Sequence, residues 1–108
     1  MNKLNFGDIV LLKFPFTDNV KYKKRPALVI NDFNDNDIIV CRITSQIYNT
    51  KNDIFIKDWK DSGLKLASVV RIHKIATLEK SMVELVLGKI NYDIKQKVKN
   101  QYLKLIDY

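Results

Sequence analysis

Gly7-Asp8-Ile9-Val10-Leu11-Leu12-Lys13-Phe14 and, further on, Arg25-Pro26-Ala27-Leu28-Val29-Ile30 bracket the stretch that decides the fold. Its apolar runs, Ile9–Phe14 and Ala27–Ile30, are too short for helices and rich in β-branched residues, so they read as strands. Between them Pro15 to Lys24 reads as a loop, with a hydrophobic start at Phe16 and a basic end at Lys21, Lys23 and Lys24. Arg25 stands directly before Pro26, and a proline confines the preceding backbone to extended conformations. Arg25 is therefore expected at the mouth of the second strand, its direction fixed, with mobile lysines just upstream. A fixed cation among mobile ones suits an anionic substrate such as a phosphate.

Outward from this stretch the chain continues as strands. Asn31 to Asn36 is a turn-forming cluster. Asp37–Ser45 reads as a third strand, Asp53–Lys57 as a short edge strand, and Leu66–Ile75 as a long strand whose polar face carries Arg71 and His73. Thr77–Lys80 reads as a turn, and Met82–Leu87 as the last strand with Val83, Leu85 and Leu87 on one face. Asn91 can cap a terminal helix with Asp93 in its first turn. Ile94, Val98, Tyr102 and Ile106 recur every four residues and, with Leu105, form one apolar stripe; Lys95, Lys97 and Lys99 fall largely outside it. That pattern fits a helix packed on the sheet better than a basic helix reading DNA. Many short strands followed by one helix predict a mainly β fold with a C-terminal α-helix, a small, strongly curved, mostly antiparallel β-barrel, with residues 1–108 as one domain.

The chain has 108 residues, 46% hydrophobic, with 19 Lys plus Arg against 12 Asp plus Glu and a net charge of +7. That excess favours a polyanionic partner, nucleic acid above all, against the alternative of a lysine-rich solvated surface. Cys41 is the one cysteine and lies in an apolar run, so no internal disulfide is possible and a small buried residue is expected rather than a catalytic thiol. No secretory h-region and no apolar stretch of membrane-span length is present, which predicts a soluble cytoplasmic protein without membrane contact. Trp59 reads as a packing residue beside the edge strand.

Several chemistries are excluded. With His73 alone, a two-histidine acid–base ribonuclease cannot be built, and Cys/His metal spacing is absent. Asp32, Asn34 and Asn36 alternate as in a calcium loop, but the sixth position is Asp37 and the twelfth is Ile43, where glycine and glutamate are needed. The three glycines, Gly7, Gly63 and Gly88, are scattered singly and make no phosphate loop. A Ser-His-Asp triad could be drawn through His73, but nothing marks a serine as nucleophile. No metal and no cofactor is expected.

What remains is Arg25 at one strand mouth and Thr44-Ser45 at the end of the next strand. If strands two and three form a hairpin across the Asn/Asp turn, those ends are neighbours. A guanidinium beside two hydroxyls meets the needs of phosphodiester cleavage: charge neutralisation on the phosphoryl oxygens and donors to hold one of them. RNA supplies its own nucleophile in the 2′-hydroxyl. The competing explanation is an arginine in a surface ion pair and a threonine favoured by β-propensity.

Gly7-Asp8-Ile9-Val10, Lys24-Arg25-Pro26-Ala27-Leu28-Val29-Ile30, Ile43-Thr44-Ser45, Ala67-Ser68-Val69-Val70 and Ile75-Ala76-Thr77-Leu78-Glu79-Lys80 occur in an order that resembles the MazF/PemK family, toxins of bacterial toxin–antitoxin pairs. The resemblance covers nearly the whole chain. It implies an SH3-like barrel of the CcdB/MazF type, working as a homodimer. It implies a metal-independent, sequence-specific endoribonuclease that cuts single-stranded RNA such as mRNA, leaving a 2′,3′-cyclic phosphate or 3′-phosphate and a 5′-hydroxyl. Arg25 and Thr44 match the family's catalytic arginine and threonine, with Ser45 assisting; transition-state charge stabilisation is the safer role for Arg25, because arginine is hard to deprotonate. The resemblance further implies an RNA path along Phe16, Thr17, Lys21, Lys23 and Lys24, with Gln46, His73 and Lys74 also facing RNA, and a small acidic antitoxin partner whose complex binds DNA. His73-Lys74 stand where the family usually has an acidic residue followed by glutamine, a departure that bears on the sequence cut. The second hypothesis is a binding protein on the same barrel, either a CcdB-like gyrase-directed toxin or an RNA binder without nuclease activity.

Overall fold

The computed structural model of the protein describes residues 2–15 and 22–107. Six strands and one helix follow in the order β1 (Asp8–Pro15), β2 (Tyr22–Asp32), β3 (Asp37–Thr44), β4 (Asp53–Phe55), β5 (Val69–Glu79), a single 3₁₀ turn at Lys80–Met82, β6 (Val83–Lys89) and α1 (Tyr92–Ile106). The strands form one sheet in the order β4-β5-β3-β2-β1-β6, antiparallel at every pairing.

The apolar runs are continuous because both faces of the sheet are covered. Successive residues of a strand point to opposite faces. Ile9, Leu28, Cys41, Ile43, Val70 and Ile72 enter one buried cluster, with Ile94 and Val98 of α1 laid over it. Their neighbours Val10, Leu12, Ala27, Val29 and Val40 enter a second cluster with Leu4, Ile38 and Val83. Trp59 packs against the first cluster, as expected. Asn91 caps α1 as its sequence suggests, its side chain accepting the Ile94 N–H at 2.8 Å, an interaction typically worth about 1 kcal/mol. Ile94 and Val98 are buried, but the last residue of the predicted stripe, Ile106, is 79% exposed.

The sheet curls until its edges approach one another. Residues 58–64, which follow β4 at one edge, reach β6 at the other. A Cβ on Gly63 would collide with the Leu87 carbonyl, and one on Gly88 with the Ser62 carbonyl. Gly63 also has φ of +92°, a conformation that L side chains rarely adopt. Backbone meets backbone here, and glycine on both sides makes the approach possible.

Six sequence expectations are corrected. The segment through Lys23, Lys24 and Arg25 is not loop: β2 begins at Tyr22, because Pro15, Phe14, Lys13 and Leu12 of β1 pair with Tyr22, Lys23, Lys24 and Arg25. Arg25 is thus the fourth residue of a strand rather than its mouth. Residues 77–79 are likewise strand rather than turn, since Thr77, Leu78 and Glu79 pair with Ile39, Ile38 and Asp37, while residues 66–68 precede β5 rather than begin it. The edge strand β4 stops at Phe55, short of Lys57. Val83, Leu85 and Leu87 do not share a face: bulges in the β1–β6 register turn Val83 into the second cluster and Leu87 into the first, with Leu85 exposed. The Asn/Asp turn does join β2 to β3, with Asn34 and Asn36 at φ of 60° and 80°; asparagine tolerates this left-handed backbone better than most residues.

Candidate active site

The β2–β3 ladder ends at Ala27 paired with Arg42. The next residue of β2 is Pro26, which has no N–H to give, and there the two strands part. Continuing the register by two residues sets Arg25 opposite Thr44. Both line a cleft of about 640 Å³, together with Ser45, Gln46 and Lys24. Leu11 and Leu85 form one wall of it and residues 63–66 another. Ser68 steadies that second wall by donating its hydroxyl to the Leu66 carbonyl at 2.9 Å.

Thr44 is half-buried and Arg25 exposed. The Thr44 hydroxyl oxygen accepts the backbone N–H of Gln46 at 3.1 Å. One lone pair is thereby engaged, and the O–H is left free to donate. The cations Lys24, Arg25, Arg42 and Lys65 line the cleft, and among the described residues no carboxylate does. Lys24 is paired with Glu84 at 2.9 Å on the surface. Among the described residues Arg25 has no ion-pair partner, so the explanation of Arg25 as half of an ordinary surface pair does not hold within them.

A second cleft of about 360 Å³ adjoins the first and shares Arg25, Pro26 and Arg42 with it. Its floor is apolar, through Leu12, Val40 and Leu78, and Lys74 stands at its side.

The segment after Thr44 is anchored from β5. The Arg71 guanidinium lies 3.6 Å from the centroid of the Tyr48 ring and donates to Asp53 at 2.8 Å. Burial pushes the Asp53 carboxyl up, but hydrogen bonds from Thr50 and Arg71 outweigh it and hold the group below its ordinary value. Cys41 is fully buried and its thiol is pushed up to about 12 by desolvation, which fits a core residue and not a nucleophile.

The residues singled out in the sequence fall into three groups. Arg25, Thr44, Ser45, Gln46 and Lys24 come together in the larger cleft. Lys74 lines the smaller cleft, whereas the exposed Lys23 and His73 line neither. Phe16, Thr17 and Lys21 lie outside the described residues. Sequence reasoning passed over Arg42 and Lys65. Arg42 carried a signal: it lies two residues before Thr44 in a strand, the spacing that puts two side chains on one face.

A family model described as PemK-like, MazF-like toxin of type II toxin–antitoxin system matches residues 5–106. The chain belongs to this PemK/MazF toxin family. No curated protein matches the sequence, but solved structures with the same fold do. A MazE–MazF complex from Deinococcus radiodurans aligns with a TM-score of 0.81 at 21% identity, covering 99% of this chain and 98% of that one. An endoribonuclease from a mycobacterial species aligns at 0.70 and 17% identity, covering 92% and 86%. An endoribonuclease in complex with its cognate antitoxin, also mycobacterial, aligns at 0.68 and 17% identity, covering 87% and 85%. The MazF-like fold expected from the sequence is therefore the fold found. Among the described residues no helix is long and apolar enough to cross a membrane.

Proposed function

We propose that this protein is a sequence-specific endoribonuclease toxin that cleaves single-stranded RNA without a metal. The observation that carries this is that Arg25, which has no ion-pair partner among the described residues, and Thr44, whose O–H is free to donate, line one cationic cleft. The scissile phosphate sits between them. The RNA 2′-oxygen attacks phosphorus and loses its proton to solvent; the bond to the 5′-oxygen breaks, and that oxygen takes up a proton and leaves as a 5′-hydroxyl. The other product is a 2′,3′-cyclic phosphate, open to hydrolysis to a 3′-phosphate. Arg25 neutralises the charge that grows on the non-bridging oxygens, and Thr44 donates to one of them with Ser45 assisting. The fork of an arginine fits two phosphoryl oxygens at once and stays protonated throughout. RNA brings its nucleophile, so the step requires no Lewis acid to make one.

The same reading takes residues 1–108 as one unit, the toxin as a homodimer and its inhibitor as a small acidic antitoxin. Exposed Leu66, Ile75, Leu85 and Val86 around the clefts offer apolar surface for protein partners, and a net charge of +7 favours an acidic one.

The test is incubation of a long single-stranded RNA with the protein in EDTA, comparing wild type with Arg25→Ala. Wild type is expected to cut and Arg25→Ala to retain its fold and RNA binding while cutting is lost. Absence of cutting by wild type across varied RNAs supports instead the binder on the same fold.

A further inference from the structure

Arg42 has no role in the chemistry above, yet its position is unusual. It is exposed on β3, on the same face as Thr44 and two residues before it. It lines both clefts, and among the described residues only Arg25 and Pro26 share that property. Its partner across the ladder is Ala27, too small to fill the space above the sheet. Its partner on the other side is Arg71, whose charge is already met by Asp53. Among the described residues Arg42 itself has no ion-pair partner. An arginine exposed beside other cations, with no counter-charge among the described residues, is open to an external anion.

The smaller cleft suggests the form of that anion. Arg25, Arg42 and Lys74 line it, among the described residues no carboxylate does, and the remaining described lining is apolar. A cationic rim over an apolar floor matches one nucleotide, with phosphate at the rim and the face of the base on the floor. Arg42 and Thr44 are two positions apart on the strand, a step of about 7 Å between Cα atoms. Such a step moves along an extended RNA backbone toward the next linkage.

Resting on the nuclease reading above, we propose that Arg42 is a second phosphate anchor, holding the linkage next to the one cleaved and seating the flanking nucleotide in the smaller cleft. Arg25 then stands at the junction of the two clefts, where the chain passes from the reacting phosphate to the held one.

Binding is tested with a fluorescent single-stranded 2′-O-methyl RNA of mixed sequence, which cannot cleave itself, titrated at several salt concentrations. The proteins are wild type, Arg42→Ala, Arg42→Lys and, as a control for lost charge, Lys97→Ala on the exposed side of α1. Arg42→Ala is expected to weaken binding about tenfold and to lower the slope of log Kd against log salt by about 0.7, the value of one single-strand phosphate contact. Arg42→Lys keeps the slope and recovers part of the affinity. An Arg42→Ala effect no larger than that of Lys97→Ala overturns the proposal. Thermal melting of Arg42→Ala within a few degrees of wild type separates lost contact from lost fold. Cleavage of unmodified RNA is followed in parallel. A higher KM with kcat unchanged places Arg42 on the flanking phosphate; a fall in kcat with KM unchanged puts it on the reacting phosphate and overturns the flanking assignment. If wild type does not cut but Arg42→Ala still loses slope, the nuclease reading fails and the phosphate anchor stands.

Discussion

The Arg71 guanidinium carbon lies over the Tyr48 ring, 3.6 Å from its centroid, and Asp53 closes the arrangement at 2.8 Å. Tyr48 belongs to the segment that leaves Thr44, whereas Arg71 and Asp53 pair across β5 and β4. The stack therefore ties the segment carrying Ser45 and Gln46 to the sheet beneath it. Tyr48→Ala removes the ring and is expected to cost about 1 kcal/mol, read as a lowered urea midpoint, while Tyr48→Phe, which keeps a ring face, stays near wild type. Asp53→Asn is the harsher change. It leaves the Arg71 charge, with only 10% of its side chain exposed, without a counter-ion, and about 3 kcal/mol of stability should go with it.

The second buried carboxylate predicts an acid limit. Asp32 accepts hydrogen bonds from Lys80 at 2.6 Å, the Leu4 N–H at 2.7 Å and the Asn34 N–H at 2.8 Å. These hold its pKa down at about 2, the Lys80 contact foremost. A carboxyl lowered in the folded state contributes stability that is fully present above its unfolded value, about 3.9. That contribution is lost as pH falls toward the folded value. Urea unfolding of wild type and Asp32→Asn from pH 6 to pH 2 should show a constant gap at the upper end. The gap should narrow between about pH 4 and pH 2. A gap that persists unchanged at pH 2 would mean that shape, not charge, is what Asp32 supplies.

Closure of the sheet depends on the Gly63–Gly88 approach. Gly63→Ala puts a Cβ onto the Leu87 carbonyl and forces an L residue into φ of +92°. The conformation alone costs about 1–2 kcal/mol, and the backbone collision adds to it. A lower melting temperature is expected, with RNA affinity reduced in the same variant because Gly63 lines the larger cleft. Gly7→Ala, the other positive-φ glycine, meets the flexible end of Lys95 instead of backbone, so the smaller loss should be there.

Which parts of this were legible in the sequence follows from how local each cause is. The continuous runs Ile9–Leu12 and Ala27–Val29 announced strands because two clusters cover the sheet from both sides. The start of β2 was hidden, since Tyr22, Lys23 and Lys24 have no strand pattern of their own and are drawn into the sheet by pairing with β1. Arg25 and Thr44 could be joined on paper because Pro26 and the Asn/Asp turn are local signals that fix one hairpin. Arg71 read as part of a polar strand face, and its burial could not be foreseen, because Asp53 and Tyr48, 18 and 23 positions earlier in the chain, only meet it once the sheet has formed.

The Thr44 hydroxyl gives the sharpest separation of chemistry from binding. Its oxygen accepts the Gln46 N–H, which leaves the O–H free to donate to a substrate oxygen. On the proposed mechanism that donor acts on an oxygen whose charge grows in the transition state, and an interaction made stronger there raises kcat and not affinity. Thr44→Val keeps the shape and β-branching of the side chain and removes only the donor. It should lower kcat for RNA cleavage about a hundredfold while KM, the fold and binding of uncleavable RNA stay close to wild type. Thr44→Ser restores the donor and should recover most of the rate. Ser45→Ala, which removes a neighbouring hydroxyl with an assisting role, should cost only about fivefold. Single-turnover cleavage of one labelled RNA by the four proteins distinguishes these outcomes. If Thr44→Val instead raises KM with kcat intact, the hydroxyl serves ground-state binding, and charge stabilisation in the cleft falls to Arg25 alone.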